Sequence, residues 1–151
     1  MKPTVVILAA GLGTRMKSDL PKALHLLAGK PLLLHVLDAV AGIVPERTVL
    51  VVGHRADLVR DAVAGYDVEI AVQERQLGTG HAVRQASGAI AAANGPVMVL
   101  CADTPLLTPA TLSALSERHA PKKAAVTLMT ALMDDPTGYG RIVRGRTGVA
   151  R

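Results

Sequence analysis

The chain has 151 residues, enough for one domain that buries roughly two thirds of its unfolded surface. Half are hydrophobic, yet Phe and Trp are absent and Tyr66 and Tyr139 are the only aromatics, so the core must be aliphatic and there is little on which a nucleic-acid strand could stack. Seventeen Lys and Arg against twelve Asp and Glu leave a net charge of +5, which suits an acidic small-molecule ligand, and the single Cys101 excludes an internal disulfide and a cysteine-based zinc site.

The first apolar run, Val5 to Ala10, is too short for a signal sequence or a membrane span, so the chain reads as a soluble, cytoplasmic protein with no membrane partner. It predicts a buried strand, and the glycine-rich loop Gly11 to Lys22 follows it. Gly29-Lys30-Pro31 punctuates the chain before a helix whose apolar face is Leu33, Leu34, Val36, Leu37 and Val40 and which ends near Gly42. Thr48 to Gly53 predicts a second buried strand, Arg55 to Ala64 a helix closed by Gly65, and Val68 to Val72 a third strand. The loop Gln73 to Gly80 opens a helix predicted from His81 to Ala93, with Thr79 as its N-cap.

Val97 to Cys101 predicts a fourth strand, and Thr108-Pro109 starts a helix reaching about His119. Ala124 to Leu132 is strand-like, and Pro136 to Gly140 is a turn into a hairpin arm at Arg141 to Arg144. After the turn Arg144 to Gly148, Val149-Ala150-Arg151 would only begin a return strand, so residues 1–151 read as part of a larger domain. Strand and helix alternate, which demands right-handed crossovers and an α/β fold with a mostly parallel sheet and helices on both faces.

Ligands of such sheets sit beyond the carboxyl ends of the strands, which singles out three loops: Gly11 to Lys22, Gln73 to Thr79 and Ala102 to Pro105. Gly11 and Gly13 let backbone amides surround phosphate oxygens, with Arg15, Lys17 and Lys22 supplying charge; a tight turn with a solvated basic face fits the same residues. The closing Gly-Lys-Ser/Thr of a P-loop is absent, and so is the third glycine of a dinucleotide fingerprint. Asp103 offers a hard oxygen to a phosphate-bound magnesium ion, or caps the turn before Pro105. Gln73 and Gln76 can donate and accept in one plane, as a nucleobase edge requires, although exposed amides often do nothing specific. His25, His35, His54 and His119 lack metal-ligand spacing, His81 stands where it can shape the Gln73 loop, and Cys101 reads as a small core hydrophobe.

The run Leu8-Ala9-Ala10-Gly11-Leu12-Gly13-Thr14-Arg15-Met16, followed by Pro21-Lys22, resembles the signature of the sugar-1-phosphate nucleotidyltransferases, G-x-G-T-R-M, a short spacer and P-K. The resemblance implies a Rossmann-like nucleotidyltransferase fold, with Leu8, Ala10, Gly11, Gly13 and Thr14 around a nucleoside triphosphate and with Arg15 and Lys22 as catalytic cations on its phosphates. Gln76-Leu77-Gly78-Thr79-Gly80-His81-Ala82 resembles the uracil-recognition segment of the N-acetylglucosamine-1-phosphate uridylyltransferases, which implies uridine contacts at Gln73, Gln76, Gly78 and Thr79. Cys101 to Leu106 is similar to that family's metal-binding segment and implies Mg²⁺ on Asp103; Ala102 stands where many members have glycine. Asp135 to Ile142 resembles the segment whose first glycine, here Gly138, lies against the sugar phosphate.

The reaction implied is uridylyl transfer from UTP to N-acetylglucosamine 1-phosphate, which yields UDP-N-acetylglucosamine for cell-wall and lipopolysaccharide precursors, and pyrophosphate. Family members that carry an acetyltransferase domain trimerise through it. The glutamate and asparagines that complete the family's sugar pocket are expected beyond Arg151. Other nucleotidyltransferases of this fold, acting on a different sugar phosphate, a molybdopterin or a methylerythritol phosphate, remain alternatives, as does a UTP-binding module without turnover.

Overall fold

A computed structural model describes residues 1–11, 13, 16–119, 124–143 and 145. Four strands form one parallel sheet: β1 (Thr4–Ala9), β4 (Arg47–Val52), β5 (Glu69–Val72) and β6 (Val97–Cys101), in the order β5-β4-β1-β6. The register places Ile7 of β1 beside Leu50 of β4 and Leu100 of β6. The continuous apolar runs of the two central strands, β1 and β4, have this cause, since a parallel strand flanked by helices buries both its faces.

Helix α1 (Leu32–Ala41), α2 (Ala56–Ala62) and α5 (Pro109–His119) cover one face, packing Leu33, Val36, Leu37, Val59 and Leu112 on Val5, Ile7, Leu50 and Leu100. Helix α3 (Thr79–Gln85) and α4 (Ser87–Ala91) lie on the other, where Ala82, Ala86 and Ile90 meet Val6, Val49 and Val51. Ile7, Leu33, Leu50 and Leu112 are fully buried, and each such side chain contributes about 1.5–3 kcal/mol by leaving water.

Three elements differ from the sequence expectation. The helix predicted from His81 to Ala93 is two helices, because Ala86 leaves helical geometry (φ −91°, ψ 13°) just before Ser87-Gly88, a pair prone to break a helix. Its N-cap is Gly78 at φ 95°, a conformation in which glycine carries no Cβ penalty, so Thr79 is instead the first helical residue. Ala124 to Leu132 forms no strand; it is irregular and mostly exposed. Residues 141–143 of the proposed hairpin arm are likewise irregular, while Arg144 and 146–151 lie outside the described residues.

A short hairpin, β2 (Leu26–Leu27) with β3 (Lys30–Pro31), turns through Ala28 and Gly29, both at positive φ. The loop after Lys22 is tied to α1 here: Lys30 Nζ pairs with Asp38, and Tyr66 Oη donates to Asp38 Oδ1 at 2.7 Å. The Lys30 contact, and then Tyr66, hold the Asp38 carboxyl below its ordinary range. In return Asp38 pushes the Tyr66 phenol up to about 12.

Candidate functional site

The sheet's strand order places a cavity of about 590 Å³ at its carboxyl edge. Successive strands run outward from β1 through β4 to β5, and then the chain returns to β6 on the other side of β1. The crevice at such a reversal lies beyond the end of β1. All three loops singled out from the sequence reach it, since Gly11, Gly13, Lys22, Gln73, Gln76, Gly78, Thr79 and Asp103 line the cavity together with Leu8 and Ala10 from the end of β1.

Across this cavity Lys22 Nζ donates to Asp103 Oδ2 at 2.6 Å, with both side chains about two-fifths exposed. Lys22 opens a short 3-10 turn (Lys22–Leu24) whose Ala23 and Leu24 are buried, so the lysine is anchored from below while its head faces the opening. Gly13, at φ 60°, lies against it: a Cβ there would stand 3.0 Å from the Lys22 Cβ. Asp103 follows β6, whose last ladder contact is extended by the Ala102 amide donating to the Leu8 carbonyl at 3.0 Å.

Gln73 is not the exposed loop amide that its sequence context suggests. Its N–H donates to the Val52 carbonyl at 2.7 Å, continuing the β4–β5 pairing one residue beyond β5, and the residue is only 3% exposed. Its side-chain Nε2 lies 3.3 Å from the Gly78 carbonyl and 2.9 Å from His81 Nδ1. Gln76 folds back so that its Nε2 donates to the Gln73 carbonyl at 3.3 Å. Two amides are thereby held at the cavity by the loop they belong to.

Cys101 corrects a second expectation. It is exposed and lines the cavity, because side chains alternate across the sheet and Cys101 shares the exposed face of β6 with Val97 and Val99, opposite the buried Met98 and Leu100. Desolvation chiefly, and the Asp103 charge next, push its thiol pKa up; Lys22 acts the other way. Sequence reasoning also passed over Gly53. At the end of β4, a Cβ on Gly53 would come within 2.8 Å of both the Ala10 carbonyl oxygen and Gln76 Nε2, so a side chain there would collide with the base of the cavity. A glycine closing a strand that faces the ligand edge was the available signal.

Thr14 and Arg15 lie outside the described residues. Gly138 is not among the cavity's lining residues: it sits at φ 81° in an exposed turn where Thr137 N–H donates to Asp135 Oδ1 at 3.0 Å. Among the described residues no group of three or more His, Cys, Asp or Glu is gathered to hold a metal. His35 Nε2 contacts the Leu27 carbonyl and His119 Nδ1 contacts Thr127 Oγ1, each at 2.9 Å and away from the cavity. No described helix is long and apolar enough to cross a membrane.

A sheet of this order with a glycine loop, a lysine and an aspartate at one edge invites comparison with nucleotide-handling domains. The family model for the MobA-like NTP transferase domain matches residues 5–145. The chain belongs to this family. As a MobA-like NTP transferase domain it is 53% identical over 148 residues to the bifunctional protein GlmU of an Exiguobacterium species, and 54% identical over 144 residues to that of Burkholderia mallei. These alignments take in 98% and 95% of this chain but 33% and 31% of the relatives, so the chain spans about a third of the length of the curated relatives it matches. Among solved structures, HddC from Yersinia pseudotuberculosis complexed with GMP-PN is similar at TM-score 0.66 and 28% identity, over 80% of this chain and 55% of that one. UDP-glucose pyrophosphorylase complexed with UDP-glucose, 20% identical with TM-score 0.61 over 79% of this chain and 55% of that one, shares the fold. The Rossmann-like nucleotidyltransferase fold expected from the sequence is the fold observed.

Proposed function

We propose that the cavity carries out uridylyl transfer from UTP to N-acetylglucosamine 1-phosphate. A phosphate oxygen of the sugar phosphate attacks the α-phosphorus of UTP, the bond from that phosphorus to the bridging oxygen of the β-phosphate breaks, and pyrophosphate leaves. No covalent enzyme intermediate is needed. Because both reactants are anions, positioning and charge neutralisation are the tasks left to the protein. Lys22, and Arg15 from the same loop, would contact phosphates, while Gly11, Gly13 and Thr14 would present amides to the triphosphate. Gln73, Gln76, Gly78 and Thr79 would read the uracil edge, beside Leu8 and Ala10.

The observation that carries the reading is the Lys22–Asp103 pair, 2.6 Å apart, in the cavity that the two glutamines line. It sets a phosphate-seeking cation and a hard oxygen ligand beside groups suited to a base edge. Asp103 fits magnesium, which is held by one or two carboxylates plus substrate phosphates rather than by an all-protein cage. Bound there, Mg²⁺ would neutralise phosphate charge. Gly138, having no side chain, would allow a pyranose to approach the backbone if its turn came to the cavity. The similarity to GlmU over nearly the whole chain supports this choice of substrates. It also supports action in the cytoplasm and, in a protein that has an acetyltransferase domain, a trimer.

The test is calorimetric titration of the chain with Mg-UTP, Mg-CTP, Mg-GTP and Mg-ATP. UTP binding at least about tenfold tighter than the others is the expected result, the discrimination that a hydrogen-bonded base edge supplies. Tighter binding of another triphosphate contradicts the reading. One observation favours a second reading: Gly138 is not among the residues that line the cavity, so residues 1–151 would hold UTP without turning it over. UTP binding without pyrophosphate release, in the presence of the sugar phosphate, identifies that case.

A further inference from the structure

The buried amide of Gln73 has its nitrogen end identified by its neighbours. Nε2 lies 3.3 Å from the Gly78 carbonyl, and a backbone carbonyl can only accept, so the atom directed there must be the nitrogen. The same nitrogen stands 2.9 Å from His81 Nδ1. With one N–H on Gly78 and the other toward His81, ring Nδ1 must accept, and the neutral imidazole carries its proton on Nε2. Both N–H groups of the amide are then used within the protein. No described residue hydrogen-bonds Gln73 Oε1, and that acceptor is what the side chain retains at the cavity it lines.

We propose that His81 is a positioning residue for base selection: by accepting from Gln73 Nε2 it locks the amide with its oxygen as the atom offered to the ligand. The inference rests on the uridine reading above. A locked acceptor suits uracil, whose N3 carries a hydrogen, and opposes cytosine, whose N3 carries a lone pair. The Gly78 contact alone, at 3.3 Å, is a weak hold. Without the imidazole acceptor only the 3.3 Å Gly78 contact opposes turning the amide over to present N–H, the orientation that accommodates cytosine. Gln85 Nε2 donates to the His81 carbonyl at 3.0 Å from the same helix; its 3.3 Å approach to ring Nε2 is no hydrogen bond in this tautomer, because both nitrogens are donors, and the shorter 2.9 Å contact with Gln73 is the one that assigns the ring.

The experiment compares Mg-UTP and Mg-CTP affinities of wild type, His81→Phe and His81→Asn by calorimetry. Phe keeps the ring and removes the acceptor, whereas Asn can set an amide oxygen near the position of Nδ1. The lock predicts that His81→Phe cuts the UTP-to-CTP preference by about tenfold, the scale of one net hydrogen bond, and that His81→Asn keeps it within about threefold. If the Phe variant does not fold, His81→Ala replaces it with the same expectation. Equal weakening of UTP and CTP binding, or an Asn variant as unselective as Phe, overturns the proposal and leaves His81 a structural residue. Wild-type protein with no preference for UTP overturns the uridine reading first, and the lock with it.

Discussion

Lys22 and Asp103 are 81 positions apart in sequence, yet their side chains meet at 2.6 Å. Each was legible in the sequence as a candidate, one by its place after the glycine loop and the other by its place after an apolar strand. Their direct pairing was not, because it depends on β1 and β6 being neighbours. Exposed ion pairs of this kind contribute about 0–1 kcal/mol to stability, so the pair matters more for chemistry than for folding. Lys22→Ala is therefore expected to leave the unfolding midpoint nearly unchanged while lowering the rate of pyrophosphate release about 10²–10³-fold, the usual cost of losing a transition-state contact to developing charge. Measured turnover within about threefold of wild type would remove Lys22 from that role. Gln73 is the opposite case. Its residue type suggested base contacts and His81 stood where it could shape the loop, but the burial of Gln73 and its 2.9 Å contact with the imidazole were not legible, since a single residue of extra ladder beyond β5 decides them.

At the scale of elements, alternation of apolar runs and amphipathic stretches located the main-sheet strands within a residue or two and most of the helices. What failed has identifiable causes. The predicted helix from His81 to Ala93 breaks at Ala86 because Ser87-Gly88 follows, and periodicity alone does not register such a break. Ala124 to Leu132 has strand-like composition but no ladder, since composition supplies only half of a strand and a pairing partner supplies the other half. Gly53 shows an element's end serving the site. In Gly53→Ala the new Cβ would press on the Ala10 carbonyl, which belongs to the backbone and cannot give way, and on Gln76 Nε2, which can. The variant is expected to lose about 1–3 kcal/mol in urea unfolding, the scale of local overpacking. UTP affinity should also fall about tenfold as Gln76 is displaced, the worth of roughly one hydrogen bond. Wild-type stability together with wild-type affinity would show that Gly53 is merely a strand terminus.

The whole molecule explains why residues from three distant loops share one cavity. Helices on both faces fix the four parallel strands, and the reversal of strand order at β1 opens a crevice where the carboxyl ends point. This much was legible from alternation and apolar runs. The cavity's size, and the placing of Gly138 outside its lining, belong to tertiary packing and were not. The reaction proposed for this edge joins a uridine nucleotide to an amino-sugar phosphate. The most direct measurement is pyrophosphate release with paired substrates, each of four nucleoside triphosphates against N-acetylglucosamine 1-phosphate, glucose 1-phosphate and mannose 1-phosphate in the presence of Mg²⁺. Release is expected to be fastest from UTP with N-acetylglucosamine 1-phosphate; faster release from any other pair would contradict the proposed reaction.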